Sequence, residues 1–322
     1  MEGQESAAMQ QQEQVTPVGL RVVRRRRRFS GEQAIEGLIR LSGISAIVFV
    51  LLVFIFLARE GLPAFAEVSL SNLFGQRWYP TFGLFGLLPL ISGSLLVTLG
   101  AVVMALPLGV ATAIFIRELA PQWMRELLKP LIEVLAGIPS VVLGFLGMIA
   151  LAPLLRQLLH LPTGLTALAG SILLAYMALP TIISVADDAI DAVPKSYRDA
   201  ALALGANHWQ TIWRVVLPAA RSGILIAVML GIGRAIGETM TVLMVTGNAA
   251  RMPEGPMALF QPARTMTATI AAEMGEVAKG STHYHVLFAV GIVLFLITFL
   301  INALASILVV RSSPRRGSHL LG

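Results

Sequence analysis

The chain has 322 residues, of which 56% are hydrophobic and 13% are charged, and its mean hydropathy is +0.78. Soluble domains carry about 25% charged residues, so this composition indicates an integral membrane protein and excludes a disordered chain. The absence of cysteine excludes a disulfide-stapled fold and thiol chemistry. The net charge is +6, but the basic residues cluster beside apolar segments, which indicates membrane topology and no nucleic-acid partner.

Residues 1–40 form a polar, basic tail that is predicted to be cytoplasmic and disordered. The apolar run 41–58 is full-length and lacks the cleavage site of a signal peptide, so it is predicted to be a retained first membrane helix. This helix and the mixed, aromatic loop after it make up segment 41–83, whose loop is predicted to be periplasmic.

Residues 84–311 are predicted to form the transport core, and residues 312–322 a cytoplasmic tail. Five further membrane helices are expected at about 84–116, 131–155, 165–186, 223–247 and 285–310. The sequence Gly137-Ile138-Pro139-Ser140 predicts a local opening of the third helix, because proline cannot continue the hydrogen-bond ladder.

Six crossings put both termini on one side of the membrane. That side carries 17 of the 24 basic residues, the other side carries 6, and Arg234 lies within a span. The positive-inside rule therefore predicts that both termini and the polar loop 187–218 are cytoplasmic. The predicted fold class is an all-α integral membrane protein with six transmembrane helices.

The fifth predicted helix, 223–247, contains two charged residues, Arg234 and Glu238. An ionisable group near the middle of a span costs about 2.5–3.5 kcal/mol on insertion scales, so it indicates a functional site lining a polar pathway. The i, i+4 spacing predicts that both side chains share one helix face and can pair. The alternative is a structural ion pair that joins two helices.

The loop before this helix carries a spaced motif. It reads Asp199-Ala200-Ala201-Leu202-Ala203-Leu204-Gly205 and, nine residues later, Val215-Val216-Leu217-Pro218. This pattern resembles the "EAA" loop of ABC importer permeases, which is Glu-Ala-Ala, three residues, Gly, nine residues and Ile-x-Leu-Pro. Asp199 replaces the Glu and Val215 replaces the Ile. The alternative is an ordinary amphipathic connector at the membrane interface.

The resemblance implies a type I ABC importer permease (MetI-like) fold whose short cytoplasmic coupling helices fit a cleft on a separate ATPase. We expect Ser196 to cap the first short helix, Gly205 to end it and Pro218 to reset the chain into the membrane. Segment 208–214 is expected to form the second short helix. The coupling residues that the resemblance implies are Tyr197, Asp199, Ala200, Ala201, Gly205, Leu217 and Pro218.

A second resemblance is more specific. The segments 233–240 (Gly-Arg-Ala-Ile-Gly-Glu-Thr-Met), 137–142 (Gly-Ile-Pro-Ser-Val-Val) and 267–276 are similar to phosphate importer permeases, in particular the PstC type, with the PstA type as the near relative. The resemblance implies import of inorganic phosphate through a pathway that includes Arg234, Glu238 and Thr239. We expect Arg234 to contact phosphate in transit and Glu238 to orient it. A permease for another oxyanion and an ion-coupled secondary transporter are the alternatives.

The chain contains no Gly-x-x-x-x-Gly-Lys-Ser/Thr loop, so ATP and Mg²⁺ are assigned to a partner ATPase. It shows no nucleophile–base pair or metal-ligand cluster, so it is not expected to be an enzyme or to bind a cofactor or metal. The resemblance implies a heterodimer with a second, PstA-like permease, a PstB-like ATPase dimer and a PstS-like phosphate-binding protein, assembled in the cell inner membrane.

Other charged and imidazole side chains carry weaker predictions. Glu273 and Glu276 are expected on an outward-facing short helix that either contacts a binding protein or is simply solvated. His283 and His285 are expected to be interfacial and to bind no metal. The remaining expectations are that Asp187 and Asp188 mark the cytoplasmic end of the fourth helix and that Glu133 pairs with Lys129.

Overall fold

The computed structural model describes residues 30–312, with side chains described for 34–307 and for Val309. The predicted tail regions 1–29 and 313–322 lie outside the described residues. The described residues divide into two units, 30–53 and 54–312. The described part of the first unit is the N-terminal portion of one long apolar helix, and the second unit contains the rest of the fold.

The structure is mostly helical. Its helices are α1 Ser30–Gly61, α2 Ala64–Glu67, α3 Leu70–Leu73, α4 Leu88–Ile114, α5 Gln122–Ala136, α6 Ser140–Leu146, α7 Ala152–Leu158, α8 Ala167–Asp191, α9 Lys195–Ala203, α10 His208–Thr211, α11 Leu217–Gly237, α12 Met240–Val245, α13 Met266–Glu273 and α14 Thr282–Ser312. Its two strands, β1 Trp78–Tyr79 and β2 Leu84–Phe85, form an antiparallel hairpin in which Trp78 pairs with Phe85. Short 3₁₀ helices lie at Pro80–Phe82 and Ala258–Phe260.

Among the described residues, six helical segments are long and apolar enough to cross a membrane. They are Ala34–Glu67, Leu88–Leu119, Ser140–Leu158, Ala167–Asp191, His208–Gly237 and Thr282–Ile307. The predicted number of spans is confirmed. The third span begins at Ser140, whereas it was predicted from residue 131, because α5 is a separate amphipathic helix that ends at Ala136. The predicted opening at 137–139 is therefore confirmed.

Helix α8 lies at the centre of the second unit, between α4 and α11, and it is the most buried of the six spans. Small residues allow this close packing. Gly231 of α11 lies against Ile182, and Gly100 of α4 lies against Ser171. The hydroxyl of Ser171 donates to the carbonyl of Val97 at 3.0 Å, so the α4–α8 contact includes a buried hydrogen bond.

Several prolines are accommodated by π-helical turns. One such turn, Ile212–Val216, links α10 to α11 immediately before Pro218, and another, Gly147–Leu151, precedes Pro153. A wider turn tolerates the missing N–H and the bulky ring of proline. The fifth span therefore runs without interruption from His208 to Gly237. The expectation that Pro218 resets the chain is wrong, since Pro218 lies in the first turn of α11 within a continuous helix.

Candidate transport site and coupling surface

The fifth predicted helix is broken beside its charged residues. Helix α11 ends at Gly237, Glu238 is extended with φ −73° and ψ 133°, and α12 begins at Met240. The break is stabilised from elsewhere in the chain, because the Thr267 hydroxyl donates to the carbonyl of Glu238 at 3.0 Å. The prediction of one helix over 223–247 is wrong at this point.

Arg234 lies in the last turn of α11, where the negative end of the helix dipole favours a cation. Its guanidinium donates to the hydroxyl of Thr181 at 3.3 Å and to the carbonyl of Ala136 at 3.4 Å. Thr181 lies about 21 Å along α8, a helix roughly 37 Å long, so Arg234 is placed near the middle of the membrane span.

Arg234 and Glu238 do not form the predicted ion pair. Among residues 34–307, no carboxylate oxygen lies within 4.0 Å of the Arg234 guanidinium. Because the helix ends between the two residues, the i, i+4 geometry that would align them is lost. The carboxylate of Glu238 instead accepts from the backbone N–H of Thr241 at 3.4 Å. The alternative, an ion pair of Arg234 with Glu238 that joins two helices, is equally absent.

The contacts that Arg234 does make leave it available for a ligand. Its two hydrogen bonds are longer than the usual 2.7–3.2 Å for N–H···O. A guanidinium has five donors, so most of its hydrogen-bonding capacity remains unused. In the isolated chain the Arg234 side chain is exposed. Thr239, the third predicted pathway residue, is half-buried, and its hydroxyl is directed to the carbonyl of Gly237 at 3.4 Å.

Two interruptions of the membrane helices meet at this site. The gap at 137–139 follows Ala136, whose carbonyl accepts a hydrogen bond from Arg234. The gap at 238–239 comes four residues after Arg234 in the chain. The two gaps are joined by the Thr241 hydroxyl, which donates to the carbonyl of Ser140 at 2.9 Å. Non-helical backbone at membrane depth is tolerated only where it is buried in protein or lines a water-filled cavity. The geometry fits a polar passage beside Arg234, a cation that has no carboxylate partner among residues 34–307.

Segment 195–216, called the coupling segment after its predicted role, is a compact helical element. The N–H groups of Gly205 and Ala206 donate to the carbonyls of Leu202 and Ala201, a Schellman ending of α9 that requires the left-handed φ of +82° at Gly205. The predicted role of Gly205 as the residue that ends the helix is confirmed. Helix α10 then begins with a capping box formed by Asn207 and Gln210.

This segment exposes large apolar side chains. Leu204 is 89% exposed, and Tyr197, Trp209 and Trp213 are each more than half exposed. A patch of this kind, rimmed by polar residues, is typical of a protein–protein interaction site. The structure places other predicted coupling residues as follows: Asp199, Ala200 and Pro218 are exposed, Leu217 is half-buried and Ala201 is buried.

Two details of this segment differ from the predictions. Ala201 packs inside the subunit and does not face outward. Ser196 does not cap α9, because the helix begins at Lys195 after Pro194 and has no side-chain cap. The N–H of Tyr197 in the first turn instead donates to the carbonyl of Pro194 at 3.1 Å.

Arg198 anchors the coupling segment to two membrane helices. Its guanidinium pairs with Glu118 at 2.7 Å and donates to the carbonyls of Val193 and Ile190 at 2.7 and 3.1 Å. The Glu118 side chain is 7% exposed and lies in the π-helical turn Phe115–Leu119 that ends the second span. His208 also approaches the carbonyl of Glu118, at 3.3 Å. Sequence reasoning did not find this anchor, because its partners are 80 residues apart.

Asp187 is not a simple marker of a helix end. Its side chain is 5% exposed and pairs with Arg117 at 3.0 Å and with Lys129 at 2.6 Å. Arg117 also reaches Asp191 at 3.0 Å. The pairing of Lys129 with Asp187 replaces the expected pairing with Glu133. This cluster joins α5 and the last turn-and-a-half of α8 to the π-helical turn Phe115–Leu119 that follows α4.

Glu273 occupies an internal network on the side opposite the coupling segment. It accepts hydrogen bonds from Arg264, from the Trp78 indole at 3.1 Å and from His283 at 2.8 Å. With 16% exposure it is neither a solvated face nor a docking surface, whereas Glu276 is exposed. His285 approaches the carbonyl of Glu60 at 2.8 Å. Within the described residues, no group of three potential ligands could hold a metal ion.

We expect Glu273→Gln to destabilise the permease strongly. The substitution leaves the Arg264 guanidinium buried without a charge partner, and its Nε already lacks a hydrogen bond. Breaking a buried ion pair costs about 3–5 kcal/mol. Thermal unfolding of the purified complex should show a clearly lower midpoint. Glu276→Gln, at an exposed glutamate of the same segment, is the matched control and should change the midpoint little. Equal midpoints for the two variants would contradict the network.

The fold and this site define a membrane component of a transport system. Residues 105–318 match the family described as "Binding-protein-dependent transport system inner membrane component", and the chain belongs to this family. It is 44% identical over 251 residues to the "Probable ABC transporter permease protein YqgH" of Bacillus subtilis (strain 168), covering 76% of this chain and 80% of the relative. It is 38% identical over 274 residues to the "Phosphate transport system permease protein PstC" of Mesorhizobium japonicum, covering 79% and 83%.

A solved structure supports the same fold. A chain of a bacterial alginate ABC transporter, in complex with an alginate pentasaccharide-bound periplasmic protein, superimposes with a TM-score of 0.58 at 16% identity. The match covers 87% of this chain and 96% of that one. The predicted ABC importer permease fold is therefore confirmed.

Family membership settles the broad role. The chain is an inner-membrane transport subunit and not an enzyme, and ATP hydrolysis belongs to a separate ATPase subunit. The family also implies an external substrate-binding protein as a partner. The secondary-transporter alternative is excluded by this membership.

Proposed function

We propose that this chain is a permease subunit of an ATP-driven importer of inorganic phosphate. Arg234 contacts the anion in transit, Thr239 and Glu238 line the same helix break, and segment 195–218 docks the ATPase. The observation that carries the proposal is the Arg234 guanidinium, which lies near mid-span beside two helix interruptions with no carboxylate partner among residues 34–307.

Phosphate chemistry matches this geometry. A dianion needs a charge partner inside the membrane, and guanidinium supplies planar, bidentate donors that stay charged at any relevant pH. Transport also needs release, so the binding group must not hold the ion too strongly. The long hydrogen bonds of Arg234 to Thr181 and Ala136 give it a resting position that phosphate can replace. The similarity to the PstC protein of Mesorhizobium japonicum supports phosphate over other oxyanions.

Glu238 has a different role in this proposal from the one expected from the sequence. It does not hold Arg234 directly, because its carboxylate lies on the α12 side of the break. A negative group next to the passage lowers the affinity for a dianion and so favours its release. Glu238 therefore tunes the passage electrostatically, without a direct contact to Arg234.

The proposed assembly rests on the resemblance to phosphate importers and is consistent with the coupling surface. We assign the exposed apolar residues of 195–213 to the cleft of a PstB-like ATPase dimer and the opposite face to a PstS-like binding protein. An ATPase dimer needs two docking surfaces, and this chain supplies one of them. The second docking surface is assigned to a PstA-like permease that forms a heterodimer with this chain. The excess of basic residues on the coupling side supports cytoplasmic termini.

The test is transport by the purified complex in proteoliposomes. We expect the chain to co-purify with an ATPase and a second permease, and phosphate uptake to require ATP and the external binding protein. A protonophore should leave this uptake unchanged. Transport of another oxyanion, with phosphate neither carried nor competing, would overturn the substrate assignment.

A further inference from the structure

A pair of arginines on the side opposite the coupling segment has no role in the passage described above. Arg77 lies between the first and second spans, and Arg251 lies between the fifth and sixth. The two residues are 174 positions apart in sequence, yet they are direct partners in an antiparallel backbone bridge. Side chains of directly paired residues project to the same face, with Cβ atoms about 5 Å apart.

The bridge is held firmly on both sides. The N–H of Trp78, whose side chain is buried, donates to the carbonyl of Ala250, and the N–H of Gly86 donates to the carbonyl of Arg77. These contacts hold the backbone of both strands at the bridge. The proximity of the two arginines is therefore a fixed feature of the fold.

Like charges directly opposite each other in a strand pair are destabilising. Among residues 34–307, neither guanidinium has a carboxylate within 4.0 Å or a hydrogen-bond partner. Both side chains are exposed. This uncompensated repulsion is relieved when an anion binds between the two guanidinium groups.

The arginines line a concave, mostly polar cavity of about 550 Å³. This volume falls within the usual range of small-ligand sites. The other lining residues are Gln76, Tyr79, Met252, Glu254 and Gln261. Gln261 exchanges two hydrogen bonds with the backbone of Glu254, which closes the loop around the cavity. Glu254 is the one acidic residue of the lining, so the two arginines leave the cavity with a net positive charge.

We propose that Arg77 and Arg251 form an outer binding site for a tetrahedral oxyanion of the phosphate type, separate from Arg234. The two arginine side chains start from Cβ atoms about 5 Å apart and project to the same face, so their guanidinium groups can share the oxygens of one anion through charge-assisted hydrogen bonds. The site collects the anion on the face opposite the coupling segment, before it reaches the membrane interior. A concave site with amide and phenol donors suits a small ion. The assignment of phosphate as the physiological ligand of this site rests on the proposed function.

The test uses the purified complex in nanodiscs without its external binding protein. Phenylglyoxal modifies accessible arginines, and peptide mass spectrometry gives the rate at each site. We expect inorganic phosphate, at constant ionic strength with chloride as the reference, to slow modification of Arg77 and Arg251 by about tenfold at roughly ten times its dissociation constant. The matched control is Arg156, which lies on the same membrane face, is exposed and has no ion-pair partner among residues 34–307. Phosphate should leave the modification rate of Arg156 unchanged.

A variant adds a second measurement. Arg77→Gln should remove the phosphate protection of Arg251, while Arg156→Gln should leave it intact. Equal protection of Arg156 in the wild-type complex, or no protection of Arg77 and Arg251, overturns the proposal. Protection by phosphate-free binding protein but not by phosphate also overturns it and assigns the arginines to protein docking. These outcomes leave the Arg234 proposal untouched, since none of them depends on uptake.

Discussion

Replacing Arg234 by Gln is expected to abolish phosphate uptake while the complex still assembles. Gln keeps a polar head but loses the charge and the bidentate geometry that a dianion needs at mid-span. Loss of two charge-assisted hydrogen bonds, each worth about 1.5–3 kcal/mol, predicts a fall in uptake of at least about a hundredfold. Assembly should persist, because the contacts of Arg234 to Thr181 and Ala136 are long and involve no buried ion pair.

Two further variants make this prediction specific. Arg234→Lys retains the charge without the planar fork and should give intermediate uptake. Glu238→Gln should leave the complex stable and the uptake measurable, because Glu238 does not pair with Arg234. ATP-driven uptake in proteoliposomes and subunit recovery on purification are the measurements. Normal uptake by Arg234→Gln, or its failure to assemble, contradicts a transport role for this residue.

Replacing Arg198 by Ala is expected to separate ATP hydrolysis from transport. Arg198 ties α9 to the end of α8 through two backbone carbonyls and to the second span through Glu118. Its removal leaves Glu118, 7% exposed, without its ion-pair partner, at a cost of about 3–5 kcal/mol. Helix α9 then moves without carrying the ends of α8 and of the second span with it, while segment 208–216 stays continuous with α11. We expect an ATPase that still binds and hydrolyses ATP while uptake is lost.

The measurement is the ratio of phosphate transported to ATP hydrolysed by the reconstituted complex. Arg214→Ala is the matched control, since Arg214 is exposed on the same segment and has no ion pair among residues 34–307. That control should keep the wild-type ratio. A double variant, Arg198→Leu with Glu118→Leu, should recover stability but not coupling, because an apolar pair packs without a directional anchor. An unchanged ratio in Arg198→Ala would show that this anchor does not transmit motion.

The features predicted correctly from the sequence have local causes. The number of spans follows from apolar runs that are long enough to cross a bilayer, which need no tertiary information. The opening at 137–139 was predicted because Pro139 removes a backbone donor and Gly137, two residues before it, is a poor helix former. The turn at Gly205 was also predicted, since the motif places a glycine where φ must be positive.

The features that were missed depend on residues distant in sequence. Glu238 and Thr239 carry no helix-breaking signal of their own, and their break is stabilised by Thr267, 29 residues away from Glu238. The assumed ion pair of Arg234 was wrong for the same reason. Asp187 likewise receives Arg117 from another helix, 70 residues away. A pattern of i, i+4 charges describes one helix, so it cannot show which charges of other helices come closer.

The most direct test of the central claim is a structure of the assembled complex trapped during turnover with phosphate. The account predicts phosphate within hydrogen-bond distance, about 2.7–2.9 Å, of the Arg234 guanidinium, which has left Thr181 and Ala136. Phosphate that passes elsewhere, with Arg234 still on Thr181 and Ala136 or paired with an acidic residue of the second permease, would contradict it.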